Sequence, residues 1–300
     1  ASFGADLTWF TDQWVMSFGS PRYEFNYGSS IINGQNYLKL LLRQTQDQQG
    51  YGLFKMPVEL RVTTNAGVET HRIWNDAFSE HFVIPVGAPV AMVEIDRDGG
   101  TSNRNWILWQ SVTLVGVALL SPPKIVAADI SPFGSAPGES RVTLTFSENI
   151  GSFSASNLSL SGAVTGVHSP TTATYSSESQ QATIVFNSLP NDEFTLTILA
   201  AGVLANGQAL DGEIDDSTWY DPILLPSGDG LPGGDAAFSF ALLAGDANCD
   251  GVVALSDIAP FVDVAVGVDS DLCHVRRADM NNDAAVDGRD LALFVEALMN

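Results

Sequence analysis

A twelve-residue pattern of oxygen-bearing side chains occurs twice near the C-terminal end of the sequence, and it constrains the fold more than any other feature. The first copy spans Asp246 to Asp257, and the second spans Asp279 to Asp290. Each copy is followed by apolar residues at helical spacing, namely Ile258, Phe261, Val262 and Ala265, then Leu291, Phe294, Val295 and Leu298. The duplication therefore predicts two loop–helix units within residues 245–300.

The spacing inside each copy suits a hard divalent cation. Calcium takes oxygen ligands from positions 1, 3, 5 and 12 of such a loop, with a backbone carbonyl at position 7 and often a ligand at position 9. In the first copy the predicted ligands are Asp246, Asn248, Asp250, the carbonyl of Val252, and Asp257. In the second copy they are Asp279, Asn281, Asp283, the carbonyl of Ala285, Asp287 and Asp290. Position 6 needs a sharp turn, which Gly251 allows freely and Ala284 does not.

The duplication, its short length and its terminal position make residues 245–300 resemble a type I dockerin, in which position 12 is Asp rather than the Glu of an EF-hand. The resemblance implies two bound calcium ions and a cohesin-type protein or cell-surface scaffold as the partner. Positions 10 and 11 would contact that partner; they are Leu255 and Ser256 in one copy and Gly288 and Arg289 in the other. Because the copies differ there, a calcium-stabilised structural tail without a cohesin partner is an alternative.

The sequence holds two cysteines, Cys249 and Cys273. We expect them to form one disulfide, which would close a loop of about 25 residues and stabilise a unit too small to bury a large core. A reactive thiol or a soft-metal site is the weaker alternative, because the sequence contains no further thiol.

Upstream of residue 245, short segments alternate apolar and polar residues between turns. An amphipathic helix is predicted over 6–18, and strands over 37–43, 58–62, 69–74, 80–85, 90–95, 141–146, 182–186 and 194–198. Short strands at regular spacing are typical of β-sandwiches. The predicted fold is therefore mainly β, with two β-sandwich domains followed by a small α-helical unit that carries paired EF-hand-like calcium loops.

Two Pro/Gly-rich segments, 121–123 and 226–234, divide the chain. The predicted domains are 1–120, 121–225 and 245–300, with 226–244 as a Gly/Pro linker and connecting strand. The 35 acidic and 13 basic residues give a net charge of −22, which argues against a nucleic-acid partner. No apolar run is long enough to predict a membrane span. The composition favours a secreted or extracellular location, cell-surface attachment included.

Several short motifs in the first block occur in a recognisable order. They are FTDQWV at 10–15, the Gln-rich segment LLRQTQ at 41–46, LFKMPV at 53–58, and Trp74. Residues 5–115 thereby resemble zinc aminopeptidases of the aminopeptidase N family. The resemblance implies that this block is the small β-sandwich behind a thermolysin-like catalytic domain, and that zinc belongs to an upstream part of the parent polypeptide.

The chemistry of that family needs an H-E-x-x-H helix, which holds zinc between two histidines one turn apart. The four histidines of this sequence are His71, His81, His168 and His274, and none has a partner four positions away. We therefore predict no catalytic residue within this sequence. A metal site built from His71 and His81 is imaginable, but ordinary strand histidines are the preferred interpretation.

The middle block resembles the bacterial immunoglobulin-like modules that act mainly as spacers. The resemblance rests on PKIVAADISP at 123–132, VTLTFSENI at 142–150 and FTLTILAAGVLANGQALDGE at 194–213. Its closing segment also carries acidic residues that could bind a cation, although a solvated acidic loop is the preferred interpretation. These residues are Asp211, Glu213, Asp215 and Asp216.

Together these patterns predict the non-catalytic C-terminal region of a secreted aminopeptidase-like protein, which provides calcium-dependent attachment through residues 245–300. An adhesin or carbohydrate-binding surface protein is the alternative. Such a protein would stack sugars on tryptophans, although large aromatic residues more often fill cores. The candidates are Trp9, Trp14, Trp74, Trp106 and Trp109.

Overall fold

The computed structural model describes residues 8–16, 19–95, 112–114, 120–131, 139–190, 192–214, 225–281 and 285–299. The strands within them are β1 Tyr23–Ile32, β2 Gln35–Gln44, β3 Met56–Thr64, β4 Gly67–Asn75, β5 Ser79–Val86, β6 Val90–Ile95, β7 Val112–Leu114, β8 Ile125–Ser131, β9 Glu139–Phe146, β10 Leu158–Gly162, β11 Gly166–His168, β12 Thr172–Ser176, β13 Gln181–Asn187, β14 Asp192–Ile198, β15 Leu204–Ala205, β16 Gln208–Ala209 and β17 Ala236–Leu242. The helices are α1 Thr8–Trp14, α2 Ile258–Ala265, α3 Leu272–Ala278 and α4 Gly288–Met299. The fold is mainly β, with several antiparallel sheets, as the alternating pattern predicts.

The first block contains two sheets, in the strand orders β5-β2-β1-β7 and β4-β3-β6. Alternate residues of β3 are buried and share one apolar cluster with alternate residues of β2. All five strands predicted in this block form. The sequence pattern missed β1, because Gly28, Ser29 and Ser30 interrupt its alternation.

The middle block pairs strands in the orders β12-β13-β9-β8 and β11-β10-β14-β17, and all neighbours in these two sheets are antiparallel. The apolar cluster between them includes the fully buried rings of Phe146, Phe186 and Phe238. β17 pairs with β14 along its whole length, from Ala236 opposite Ile198 to Leu242 opposite Asp192. The strand expected within 226–244 is therefore an edge strand of this sandwich.

The segment 226–234 is held against the second sandwich, although its Gly/Pro content predicted an exposed linker. Ser227 is buried, and its backbone N–H donates to Ile125 O at 2.9 Å. Its hydroxyl donates to Asp211 O at 2.7 Å, and the N–H of Gly228 donates to Glu213 O at 2.7 Å. Hydrogen bonding to a neighbouring chain segment thus overrides the flexibility that the composition indicates.

The two sandwiches contact each other. Lys39 Nζ forms an ion pair with Glu148 Oε1 at 2.6 Å, and His81 N donates to Gly230 O at 3.1 Å. A small apolar cluster crosses the same junction and consists of Ile32, Tyr37, Val83 and Val126. Burial lowers the pKa of His81 at this junction, with a further contribution from the nearby charge of Lys124.

Residues 245–299 form a small helical unit around a core to which α2 and α4 each contribute one aromatic ring. Phe261 and Phe294 are buried and stack with their ring centroids 4.1 Å apart. The sequence predicted α2 and α4 but not α3, which begins after Asp271; this carboxylate accepts the Cys273 N–H at 2.8 Å and caps the helix. None of the described helices is both long and apolar enough to span a membrane.

Candidate functional site

Loop 1, residues 246–257, folds around its own polar side chains. Asp246 Oδ1 accepts the N–H of Asp250 at 3.1 Å, and Asp246 Oδ2 accepts the N–H of Gly251 at 3.0 Å. Asn248 Oδ1 also accepts the Asp250 N–H, and Asp250 Oδ1 accepts the Val252 N–H at 3.0 Å. Gly251 has a φ of +90°, which a residue with a Cβ adopts only at a cost. The side chains at positions 1, 3 and 5 are thus fixed by the backbone of the loop.

The position-12 aspartates of the two loops make equivalent contacts. Asp257 Oδ1 and Oδ2 accept the N–H groups of Asn248 at 2.9 Å and Ala254 at 2.7 Å. In loop 2, residues 279–290, Asp290 Oδ1 and Oδ2 accept those of Asn281 at 3.1 Å and Asp287 at 2.8 Å. Both carboxylates therefore hold positions 3 and 9 of their own loop. Asp283 and Ala284 lie outside the described residues.

Charge is buried in both loops. Asp246, Asp257 and Asp290 are each 0% exposed. Arg277, also buried, forms an ion pair with Asp246, whereas neither Asp257 nor Asp290 forms an ion pair with a described residue. A buried carboxylate raises the free energy of the folded state unless a positive charge or several hydrogen bonds compensate it. The donor atoms and the charge of these loops fit a hard cation.

One group of three acidic side chains in the described part of the chain places ligand oxygens within 4.8 Å of one another. It lies outside both loops and consists of Asp211, Glu213 and Asp229. Among the described residues of loops 1 and 2, no three carboxylate groups place oxygens within 4.8 Å of one another. Their predicted ligand sets also include amide and backbone oxygens, such as those of Asn248 and Val252, which are oxygen donors of the type that calcium binds. Asp215 and Asp216, the other two acids predicted beside this group, lie outside the residues that the structure describes.

The disulfide joins loop 1 to the first turn of α3. Cys249, at position 4 of the loop, is bonded to Cys273. The start of α3 is also fixed by neighbouring polar groups: His274 Nδ1 lies 2.6 Å from Asp269 Oδ2. The backbone N–H of Asp271, followed by this histidine, holds the pKa of Asp269 below its usual value. The covalent bond and the cap together position the segment between the two loops.

The predicted partner-binding residues are all exposed: Leu255, Ser256, Gly288 and Arg289. Beside them, each of the two helices carries an exposed apolar row. The α2 stripe consists of Ile258, Val262 and Val266, the last of which is the residue that follows the helix, and the α4 stripe consists of Leu291, Val295 and Met299. Corresponding members occupy equivalent positions of the two repeats, and Val262 and Val295 are 46% and 45% exposed. On each helix, the apolar face predicted from the sequence therefore contains one buried Phe and a row of exposed apolar residues.

Sequence reasoning missed Arg277, and it missed Asp229 as a neighbour of Asp211 and Glu213. Arg277 is one of only three basic residues in 245–300, and it sits two positions before loop 2. Arg276 and Arg277 are the two basic residues between the loops of an acidic block, and this position is the signal that could have pointed to a buried pairing role. Asp229 lies 16 positions after Glu213, and nothing in the sequence places the two together.

The alternative sites of the first block are not assembled among the described residues. His71 lies on β4 and contacts Glu69 Oε2 at 3.1 Å, while His81 lies on β5 in the other sheet. Trp14 is half-buried against Phe54, whereas Trp74 is exposed on β4. The side chain of Trp9, and Trp106 and Trp109 as a whole, lie outside the described part of the chain.

No protein-family model matches this chain, and no curated protein matches it. A mainly β architecture does not specify an activity either, because β-sandwiches carry many unrelated functions. The function of the chain therefore has to be inferred from its own residues.

Proposed function

We propose that residues 245–300 are a calcium-dependent attachment module that binds a cohesin-type protein. The two β-sandwiches present this module as the non-catalytic end of a secreted, aminopeptidase-related protein. One observation carries the proposal, namely that a single duplication repeats both the polar loop with its buried position-12 aspartate and the exposed apolar stripe on the following helix.

The charge balance of loop 1 supports one calcium ion. Three carboxylates, those of Asp246, Asp250 and Asp257, together with the guanidinium of Arg277 leave two negative charges. A divalent cation neutralises them, and calcium accepts the mixed carboxylate, amide and carbonyl oxygens that the loop offers. When bound, calcium would link positions 1 to 12 of each loop and thereby couple ion binding to the folding of the unit.

The stripes support a protein partner. The stacked rings of Phe261 and Phe294 already fill the space between α2 and α4. Val262 and Val295 remain outside that core, and Leu255, in the turn just before α2, is 77% exposed. Exposed apolar side chains that recur along a helix of a small unit are typical of a protein–protein interface. The resemblance of the loops to a type I dockerin assigns this surface to a cohesin.

A disulfide between Cys249 and Cys273 suits an oxidising, extracellular compartment. The histidines of the first block, His71 and His81, lie on different sheets, and the sequence lacks an H-E-x-x-H motif. The resemblance of residues 5–115 to zinc aminopeptidases would place zinc chemistry in an upstream part of the parent polypeptide.

The proposal is tested by retention on a panel of immobilised type I cohesin domains. We expect the full chain to be retained in millimolar Ca²⁺ and released by EGTA. The Val262→Asp/Val295→Asp variant should not be retained, whereas Val167→Asp, at an exposed valine of β11, should behave like the parent. If no cohesin retains the parent chain although its loops bind calcium, the stabilised-tail alternative replaces docking.

A further inference from the structure

The acidic cluster of Asp211, Glu213 and Asp229 lies at one end of the second sandwich, where the segment 226–234 packs on it. The three ligand oxygens are within 4.8 Å of one another. Asp211 is 0% exposed, while Glu213 and Asp229 are exposed. The cluster therefore has a buried base and a face that is open to solvent.

The buried carboxylate has one oxygen in use and one without a hydrogen-bond partner. Asp211 Oδ2 pairs with Lys124 Nζ and accepts the N–H of Gly230 at 3.1 Å. Asp211 Oδ1 is buried and accepts no hydrogen bond from a described residue. Native structures rarely leave a buried carboxylate oxygen unsatisfied, because the lost hydration is costly.

The surrounding backbone leaves space for these carboxylates and holds them in place. A Cβ on Gly228 would overlap the carboxylate of Asp211, and a Cβ on Gly234 would overlap that of Glu213. Asp211 N donates to Pro123 O at 2.9 Å, and Leu231 N donates to Asp229 Oδ1 at 3.0 Å. The cluster is thus part of a defined chain arrangement, whereas the sequence favoured a solvated acidic loop.

We propose that Asp211, Glu213 and Asp229 form a third calcium site, independent of loops 1 and 2. Lys124 offsets one of the three negative charges, so that two remain, and one divalent cation neutralises them. The donors are all carboxylate oxygens, with no His or Cys in the group, which favours a hard cation over zinc or copper. Asp211 Oδ1 supplies the buried ligand of the site.

The site would connect two parts of the molecule. Glu213 follows Asp211 and Gly212 at the end of the sandwich, and Asp229 belongs to the segment 226–234 that packs there. Gly230, next to Asp229, accepts the N–H of His81 from the first sandwich. An ion at the cluster therefore fixes the segment that lies between the two sandwiches.

Native mass spectrometry of the full chain in millimolar Ca²⁺ tests the site by counting bound ions. We expect the Glu213→Gln/Asp229→Asn variant, in which both altered side chains are exposed, to bind one ion fewer than the parent. The matched control Glu178→Gln/Glu193→Gln changes two exposed acids of the same sandwich and should keep the parent number. Asp257→Asn/Asp290→Asn alters only the loops, so the cluster's ion should persist in that variant even if the attachment proposal fails.

A second measurement keeps the test decisive if the cluster variant does not fold. Calcium should slow amide hydrogen exchange in the peptide 225–235 of the parent chain. The reason is that Gly228 N donates to Glu213 O and Gly230 N donates to Asp211 Oδ2, and both acceptors belong to residues of the cluster. Unchanged exchange in that peptide at about 5 mM Ca²⁺ overturns the proposal, because this concentration exceeds the largest calcium dissociation constants of extracellular modules. So does a folded cluster variant that binds as many ions as the parent.

Discussion

At the scale of single residues, the buried aspartates Asp257 and Asp290 are the positions where replacing a carboxylate by an uncharged amide tests the loops most directly. Asp257 holds the N–H groups of Asn248 and Ala254, and Asp290 holds those of the equivalent positions. Each aspartate would also be a ligand under the proposed function. An amide side chain of the same shape removes the charge and, because both carboxylate oxygens accept a backbone N–H, also removes one of these hydrogen bonds.

We expect Asp257→Asn to lower calcium affinity at loop 1, and Asp290→Asn at loop 2, each by on the order of tenfold or more. Hydrogen exchange of peptides 245–260 and 278–292 in the full chain, with Ca²⁺ or EGTA, measures each loop separately. The exposed Asp263→Asn, on α2, is the matched control. Equal exchange with Ca²⁺ and with EGTA in the parent chain would contradict calcium binding at the loops.

Glu80 leads to a prediction about pH. This residue is fully buried; it accepts the N–H of Asp76 at 3.1 Å and a hydrogen bond from Asn75 Nδ2. Burial raises the pKa of Glu80 from 4.5 to about 7. Between these two values Glu80 is mostly protonated in the folded chain and mostly ionised in the unfolded chain, so its contribution to the free energy of unfolding falls as pH rises through that window.

We expect the Glu80→Gln variant to show a smaller fall, because its side chain does not titrate. Urea unfolding followed by tryptophan fluorescence at about pH 5 and about pH 7.5 reports mainly on the first block, which holds five of the six tryptophans. Glu24→Gln, on β1 of the same sandwich, should keep the parent slope. A slope in Glu80→Gln as steep as that of the parent would show that other groups cause the pH dependence.

At the scale of elements, α4 places a core residue directly beside an exposed one, and the proposed function gives the two residues different roles. Phe294 is 2% exposed and stacks on Phe261, whereas Val295 is 45% exposed on the α4 stripe. We expect Phe294→Ala to destabilise the helical unit by about 3–5 kcal/mol, and Val295→Ala by less than about 0.5 kcal/mol.

Hydrogen exchange of the 288–299 peptide measures the first effect, and cohesin retention measures the second. Val295→Ala should weaken retention while leaving exchange unchanged. A Val295→Ala variant that exchanges faster and binds as the parent does would assign the residue to the core.

The disulfide stabilises a different part of the same unit. It connects residues 24 apart in sequence, which links loop 1 to α3. Closing a loop of this size stabilises the folded state by roughly 3 kcal/mol, chiefly through the entropy of the unfolded chain. We expect Cys249→Ser/Cys273→Ser to lower the stability of the helical unit by that amount and to leave the unfolding of both sandwiches unchanged. Calorimetry of the full chain in Ca²⁺ measures this, and a shift in the sandwich transition would contradict it.

At the scale of the whole molecule, we expect the full chain to have no aminopeptidase activity with or without added Zn²⁺. Activation of water by zinc requires a set of protein ligands that leaves one coordination position open. Hydrolysis of an amino-acid arylamide after controls for trace proteases is the measurement. Activity that depends on zinc and survives those controls would show that a metal centre lies within this chain.

The sequence predicted local structure well where one signal dominated. Alternation located β3 and β9, and the duplicated pattern located the helices α2 and α4. It could not predict what depends on distant parts of the chain. The pairing of β17 with β14, the burial of Ser227 and the meeting of Asp229 with Asp211 each involve residues far apart in sequence. The outward stripes could not be separated from the core either, because helical periodicity does not tell which neighbour an apolar face meets.

The short connection between β17 and loop 1 has a mechanical consequence. β17 ends at Leu242, and loop 1 begins at Asp246, whose N–H donates to Leu243 O at 3.1 Å. If the helical unit were bound to a partner and pulled, the short connection would therefore transmit the force almost directly to the paired residues of β17. The main-chain hydrogen bonds between β17 and β14 would carry this force. Their strength would therefore set the force at which β17 separates from the sheet.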